Sequence, residues 1–183
     1  MQFRLRGLRR ALCGVALLAL AAGTLRADST WRARLHEELP LLGHRNWIVV
    51  ADSAYPWQVS PGVETIDTGA AAPEVLQAVL GELRKAAHVQ PVIFTDAELP
   101  HVPEADAPGI TTYRAALDKA LGGAPTQSLP HDQIIAKLDE AGNTFHVLLL
   151  KTTLRLPYTS VFLQLQCGYW TPEAEKRLRA AMP

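Results

Sequence analysis

With 183 residues the chain is long enough to bury one full hydrophobic core, and nothing in its length demands a second domain. Its 18 basic side chains balance 18 acidic ones, so the formal net charge is zero. Such a chain has no overall field to gather polyanions or an anionic membrane, which excludes nucleic acid as an expected partner.

The N-terminus is a different kind of sequence. Arg4, Arg6, Arg9 and Arg10 precede the apolar run Ala11 to Ala22, and small residues follow up to Ala27. Basic, then apolar, then small is the order of a secretory signal peptide. The run is shorter than the roughly 20 residues that a membrane span needs, so cleavage rather than anchoring is expected. The cut is placed after Ala27, with Ala21 or Ala22 as alternatives. What remains, 28–183, is expected to be one exported domain, periplasmic or secreted, without a stable membrane anchor. Cys13 would leave with the signal and Cys167 would remain alone, so no intrachain disulfide is expected.

After the signal, Ser29 or Thr30 can cap a helix running to about Leu42, with Leu35, Leu39 and Leu42 on one side, Pro40 shortening it and Gly43 as its stop. Trp47 to Ala51 is too brief for a helix and lacks polar alternation, so it reads as a strand covered on both faces. A Pro- and Gly-punctuated loop follows, holding a short strand Val63 to Ile66. Pro73 then opens a helix on which Val75, Leu76, Val79, Leu80 and Leu83 recur at helical spacing. It leads to a second apolar run, Val92 to Phe94, closed by Thr95 and Asp96.

From Ala97 to Pro130 the chain reads as a surface excursion with one modest helix, Tyr113 to Leu121. A helix over His131 to Ala141, strands Phe145 to Leu150 and Val161 to Gln166, and a last helix capped by Thr171 complete the chain. Helices alternating with short buried strands predict a single-domain α/β fold with a largely parallel sheet sandwiched by helices.

The chain holds no Gly-rich phosphate loop, no Gly-x-Ser-x-Gly elbow, and no His-Glu-x-x-His or Cys-x-x-Cys pattern. No cofactor and no metal is therefore expected from motifs. His36, His88, His101 and His146 are scattered. His44 stands apart because it lies between a helix-ending Gly and a strand, where an imidazole can act as general acid or base near neutral pH, or merely bond a turn carbonyl. Asp52 closes the same strand at its carboxyl end, where open α/β sheets place ligands, although an Asx turn would need the same residue. At about 3.3 Å per residue the strand holds these two side chains roughly 15 to 20 Å apart or more. One sugar-sized ligand could touch both only if the chain bent sharply or a second copy completed the site.

Gly43-His44, the apolar strand and Asp52-Ser-Ala-Tyr-Pro56 resemble the N-terminal motif of the D-ribose pyranase and L-fucose mutarotase family. Leu129-Pro-His131-Asp-Gln133 and Pro157-Tyr158-Thr-Ser160 are similar to its other two site segments, in the same order. The likeness runs from about Leu35 to Gly168. It implies a cofactor-free sugar mutarotase in a ring-shaped homo-oligomer with sites between subunits. His44 would then be the catalytic acid/base, and Asp52, His131, Tyr158 and Ser160 would contact a monosaccharide. Ser160 stands where the family usually has Asn, Asn46 where an Asp is usual, and only Thr152 remains of a Thr-Gly-Glu. These departures motivate an alternative, a non-catalytic exported relative that binds a carbohydrate or a protein partner. A hydrolase is disfavoured for want of a nucleophile or a close carboxylate pair.

Overall fold

The computed structural model describes residues 30–183, so the expected signal peptide and its cleavage points lie outside the described residues. Helix α1, over 30–38, buries Trp31 and Leu35 and gives way to a 3-10 turn, Leu39–Leu41. Pro40 has no amide proton for the helical ladder, which is why the α-helix stops short of Leu42. The reversal before the first strand uses a left-handed Arg45, φ 76°, and not Gly43. Asn46 closes it, accepting from the Gly43 amide at 2.6 Å and donating to the His146 carbonyl at 3.3 Å.

Six strands form one sheet: β1 (Trp47–Ala51), β2 (Val63–Asp67), β3 (Val89–Asp96), β4 (Thr126–Leu129), β5 (Val147–Lys151) and β6 (Val161–Cys167), in the order β2-β5-β1-β6-β3-β4. β2, β5 and β1 are parallel neighbours, as are β3 and β4. β6 is inserted antiparallel between β1 and β3. Five strands thus end on one edge of the sheet, where the sixth begins. The largely parallel sheet expected from the sequence is present, with β6 as its antiparallel member.

All of β1 is buried, and its side chains divide by period two. Ile48 and Val50 join Leu148, Leu150, Leu163 and Leu165 under α1, α2 (Ala72–Leu83) and α3 (Ile110–Leu121). Trp47, Val49 and Ala51 face the other way with Val147, Leu149 and Phe162, under Ile134 and Leu138 of α4 (His131–Gly142). This second face is only partly covered, and Gln164 and Gln166 on it remain partly exposed. The last helix, α5 (Pro172–Ala181), buries none of its residues and is capped by the Thr171 hydroxyl accepting from the Ala174 amide at 3.1 Å. No described helix is long and apolar enough to cross a membrane.

The stretch 97–130 corrects the sequence reading. It is not a mere surface excursion: α3 starts at Ile110 and buries Ile110, Tyr113 and Leu117 in the core. Its start is capped by the Glu104 carboxylate, which accepts from the amides of Gly109 and Thr111. The stretch also supplies β4, a Thr-Gln-Ser-Leu strand at the sheet edge whose polar side chains suit an uncovered edge and carry no apolar signal.

Candidate functional site

At the edge where β1, β3 and β4 end and β6 begins, chain segments far apart in sequence meet. Asp52 follows β1. Its Oδ1 accepts from the Ala54 amide at 2.8 Å, so the Asx turn is real, and its Oδ2 accepts from the Ser160 hydroxyl at 3.0 Å. The Ser160 oxygen in turn accepts from the Asp52 amide at 3.2 Å. Ser160 is buried, so this reciprocal pair clamps the start of β6 to the end of β1.

His131 opens α4, directly after β4. Its Nδ1 lies 3.1 Å from Oδ1 of Asp96, the last residue of β3, and its ring meets the ring of Tyr158 edge-on at 5.5 Å. Glu98 accepts from the His131 amide through both carboxylate oxygens at 3.1 Å, a carboxylate on a helix N-terminus as the dipole favours. Tyr158 has a left-handed backbone, φ 57°, costly for a bulky residue and maintained by what surrounds it. Behind it the buried Tyr113 hydroxyl donates to the Thr159 carbonyl at 2.5 Å, and the Thr159 hydroxyl donates to Leu156 at 2.7 Å.

Asp96 is 1% exposed, and its second oxygen has no hydrogen-bond partner among the described residues. Burial pushes its carboxyl above the usual range, an effect opposed by the hydrogen bond and charge of His131 and reinforced by Glu98 and Asp52. Burial likewise raises the hydroxyls of Tyr55 and Tyr113, both of which feel Asp52 and Asp96. The side chains of His131 and Tyr158 are about two-fifths exposed, so this floor of fixed charges is open on one side.

Of the residues singled out from the sequence, Asp52, His131, Tyr158 and Ser160 share this edge. His44 does not. It sits at the opposite edge, exposed, where the Arg45 amide donates to Leu165 near the end of β6. There it lines a concavity of about 840 Å³ with Gln90, Gln166, Tyr169, Trp170 and Glu175, and a second of about 460 Å³ on the partly covered sheet face. The spatial separation inferred from β1 is what the fold contains.

Asp96, Glu98 and Tyr113 were not singled out. The signal for Asp96 was available: like Asp52 it is an acid closing an apolar strand. Glu98 and Tyr113 sit in the stretch read as an excursion, and only the tertiary fold turns them toward the site.

Among the described residues, one trio away from this edge could approach a cation: ligand atoms of Glu38, Glu64 and His146 lie within 4.8 Å of one another. Arg34, however, forms ion pairs with both carboxylates, and His146 approaches Glu38 at 3.4 Å. The positive charge the acids require is thus supplied by side chains, and the network ties α1 to β2.

Fold and site together define an α/β protein with a hydrogen-bonded acid and imidazole pair, met edge-on by a phenol ring, at the carboxyl edge of a largely parallel sheet. No protein-family model and no curated protein matches the chain. Among solved structures it is similar to RbsD from Bacillus subtilis complexed with D-ribose, at 19% identity and a TM-score of 0.49, over 73% of this chain and 91% of that one. It is similar to FucU from Bifidobacterium longum at 20% identity and a TM-score of 0.48, over 73% and 94% of the two chains. A third likeness, at 19% identity and a TM-score of 0.46, is to the fucose mutarotase from Streptococcus pneumoniae in complex with L-fucose, over 71% and 89%.

Proposed function

We propose that the protein is a cofactor-free monosaccharide mutarotase, interconverting anomers or pyranose and furanose forms by acid/base ring opening. The observation that carries this reading is the convergence of Asp52, His131, Tyr158 and Ser160 on one open edge of the sheet, with His131 and Tyr158 still accessible.

The chemistry asks little. A base removes the proton of the anomeric hydroxyl, the freed pair forms the carbonyl, the ring carbon–oxygen bond breaks, and the ring oxygen takes a proton from an acid. The open aldehyde turns, and the reverse steps close the ring on the other face or with another hydroxyl. Positioned proton carriers are each worth roughly 10²- to 10⁴-fold. Carboxylate, hydroxyl and imidazole groups at this edge suit the donor and acceptor pattern of a neutral polyol.

His44 is the second proton carrier in this reading. Because it stands at the far edge, it serves the site of another copy, and repeated head-to-tail contacts of that kind close into a ring. The composite site, the ring and export through the N-terminal signal belong to the same proposal. NMR exchange spectroscopy on monosaccharides, D-ribose and L-fucose first, tests it: accelerated exchange is expected, and wild-type exchange rates retained by His44→Ala would sink the assignment of His44.

A second reading is favoured by one observation. Both Asp52 oxygens are already engaged, by the Ala54 amide and the Ser160 hydroxyl, which leaves the carboxylate less free for a sugar. A non-catalytic exported protein that binds a carbohydrate or a protein partner would show saturation transfer from bound sugar, or partner binding, without faster exchange.

A further inference from the structure

We infer that Asp96 is a positioning residue that holds His131 in a single tautomer, making His131 the proton carrier that this edge of the sheet supplies for itself. The inference rests on the mutarotase reading for its chemistry, but its geometry stands apart from it.

Asp96 ends β3 with its side chain fully buried, Oδ1 3.1 Å from Nδ1 of His131, and Oδ2 has no hydrogen-bond partner among the described residues. A buried carboxylate needs a donor, and the Nδ1–H of a neutral imidazole supplies it. The other ring nitrogen, Nε2, then carries a lone pair. Since Nδ1 is turned into the protein and the side chain is 41% exposed, Nε2 is on the accessible side. The ring has little freedom to reorient. Tyr158 packs against it edge-on, and Glu98 pins the His131 amide at the start of α4.

Ring opening needs a base and an acid at once. Nε2 takes the anomeric hydroxyl proton, and the O–H pair becomes the second bond of the carbonyl. The ring carbon–oxygen bond leaves with its own pair on the ring oxygen, which accepts a proton from His44 of the second copy, acting as the imidazolium and left as neutral imidazole. Asp96 touches no substrate: it keeps the lone pair on the correct nitrogen and favours the imidazolium that forms.

The test is side-chain nitrogen–proton NMR of the full chain, at a pH well above the ordinary histidine range, with the His131 signals assigned by their loss in His131→Gln. A single Nδ1–H tautomer in the wild type is expected. An Nε2–H tautomer, as when a protonated Asp96 donates to Nδ1, or a mixture of both forms, would overturn the inference. Asp96→Ala should mix the tautomers and slow catalysed D-ribose or L-fucose exchange roughly 10²-fold or more, with KM changed far less than kcat. A folded Asp96→Ala that keeps both the tautomer and the rate overturns it. Should Asp96→Ala not fold, the wild-type tautomer still decides. If the wild type accelerates no sugar, the mutarotase reading fails while the tautomer measurement still stands for or against the dyad.

Discussion

The two edges of the sheet are built on different principles. At the carboxyl edge Asp52, Ser160, Asp96, His131 and Tyr158 are locked by hydrogen bonds and ring contact over buried supports. At the amino edge His44 stands exposed beside a concavity walled by Tyr169 and Trp170, which are 78% and 45% exposed. One edge is preorganised within a single chain, whereas the other presents its imidazole and aromatic rings outward. A preorganised site keeps its geometry without ligand, and an outward one acquires geometry only from what docks on it. Damage to the first should therefore be felt in folding and function together, and damage to the second in function alone.

The largest separation of these effects is expected from His44→Ala. Catalysed exchange should fall roughly 10²- to 10⁴-fold. Thermal stability should hardly move, since surface substitutions shift it by only about 0.5 kcal/mol. A large loss of Tm would break the contrast between the edges.

Tyr113→Phe comes next and strikes the supports of the carboxyl edge. It removes the hydroxyl that donates to Thr159 at 2.5 Å and leaves a buried carbonyl unpaired, at a cost of about 1 to 3 kcal/mol. Denaturant unfolding should register that loss, and sugar affinity should weaken as the 157–160 turn loosens.

A smaller effect with a definite sign is expected from Asp96→Asn. Burial raises the folded-state pKa of Asp96 above its unfolded value, so the folded protein binds the proton more tightly. Stability is then present at low pH and is lost as pH rises from the ordinary carboxylate value through the folded one. Replacing the acid by its amide removes that loss. Melting curves across pH should show the variant gaining on the wild type as pH rises through this window, and a gap that shrinks instead would mean the buried charge is net favourable.

Trp170→Ala should be the mildest in the monomer, changing its stability by no more than about 0.5 kcal/mol because the side chain is half exposed. Its expected effect is on assembly, as a concentration-dependent fall in mass by light scattering.

The contrast also explains what could be read from the sequence. β1 was legible because Trp47–Ala51 is apolar at every position, which only a strand buried on both faces requires. α2 was legible from its 3.6-residue spacing and Pro73. That β6 enters antiparallel between β1 and β3 was not legible, because periodicity carries no strand direction. β4 was missed because Thr126–Leu129 has an edge strand's polarity and no apolar run. Within the carboxyl edge, the segments holding Asp52, His131 and Tyr158 were recognisable as local motifs. Asp96, Glu98 and Tyr113 depend on chain crossings that bring residues 33 to 46 positions apart into contact.

The central claim is that the preorganised edge of one copy works with the His44 edge of another. Mixing tests it most directly: His131→Gln and His44→Ala, each inactive alone, are combined, allowed to exchange subunits, and assayed for sugar exchange by NMR. By random assortment about one interface in four regains both intact edges, so activity should return toward that fraction of wild type. Subunits that exchange, as a mass-labelled mixture would reveal, while activity stays at the level of the separate variants would contradict the claim.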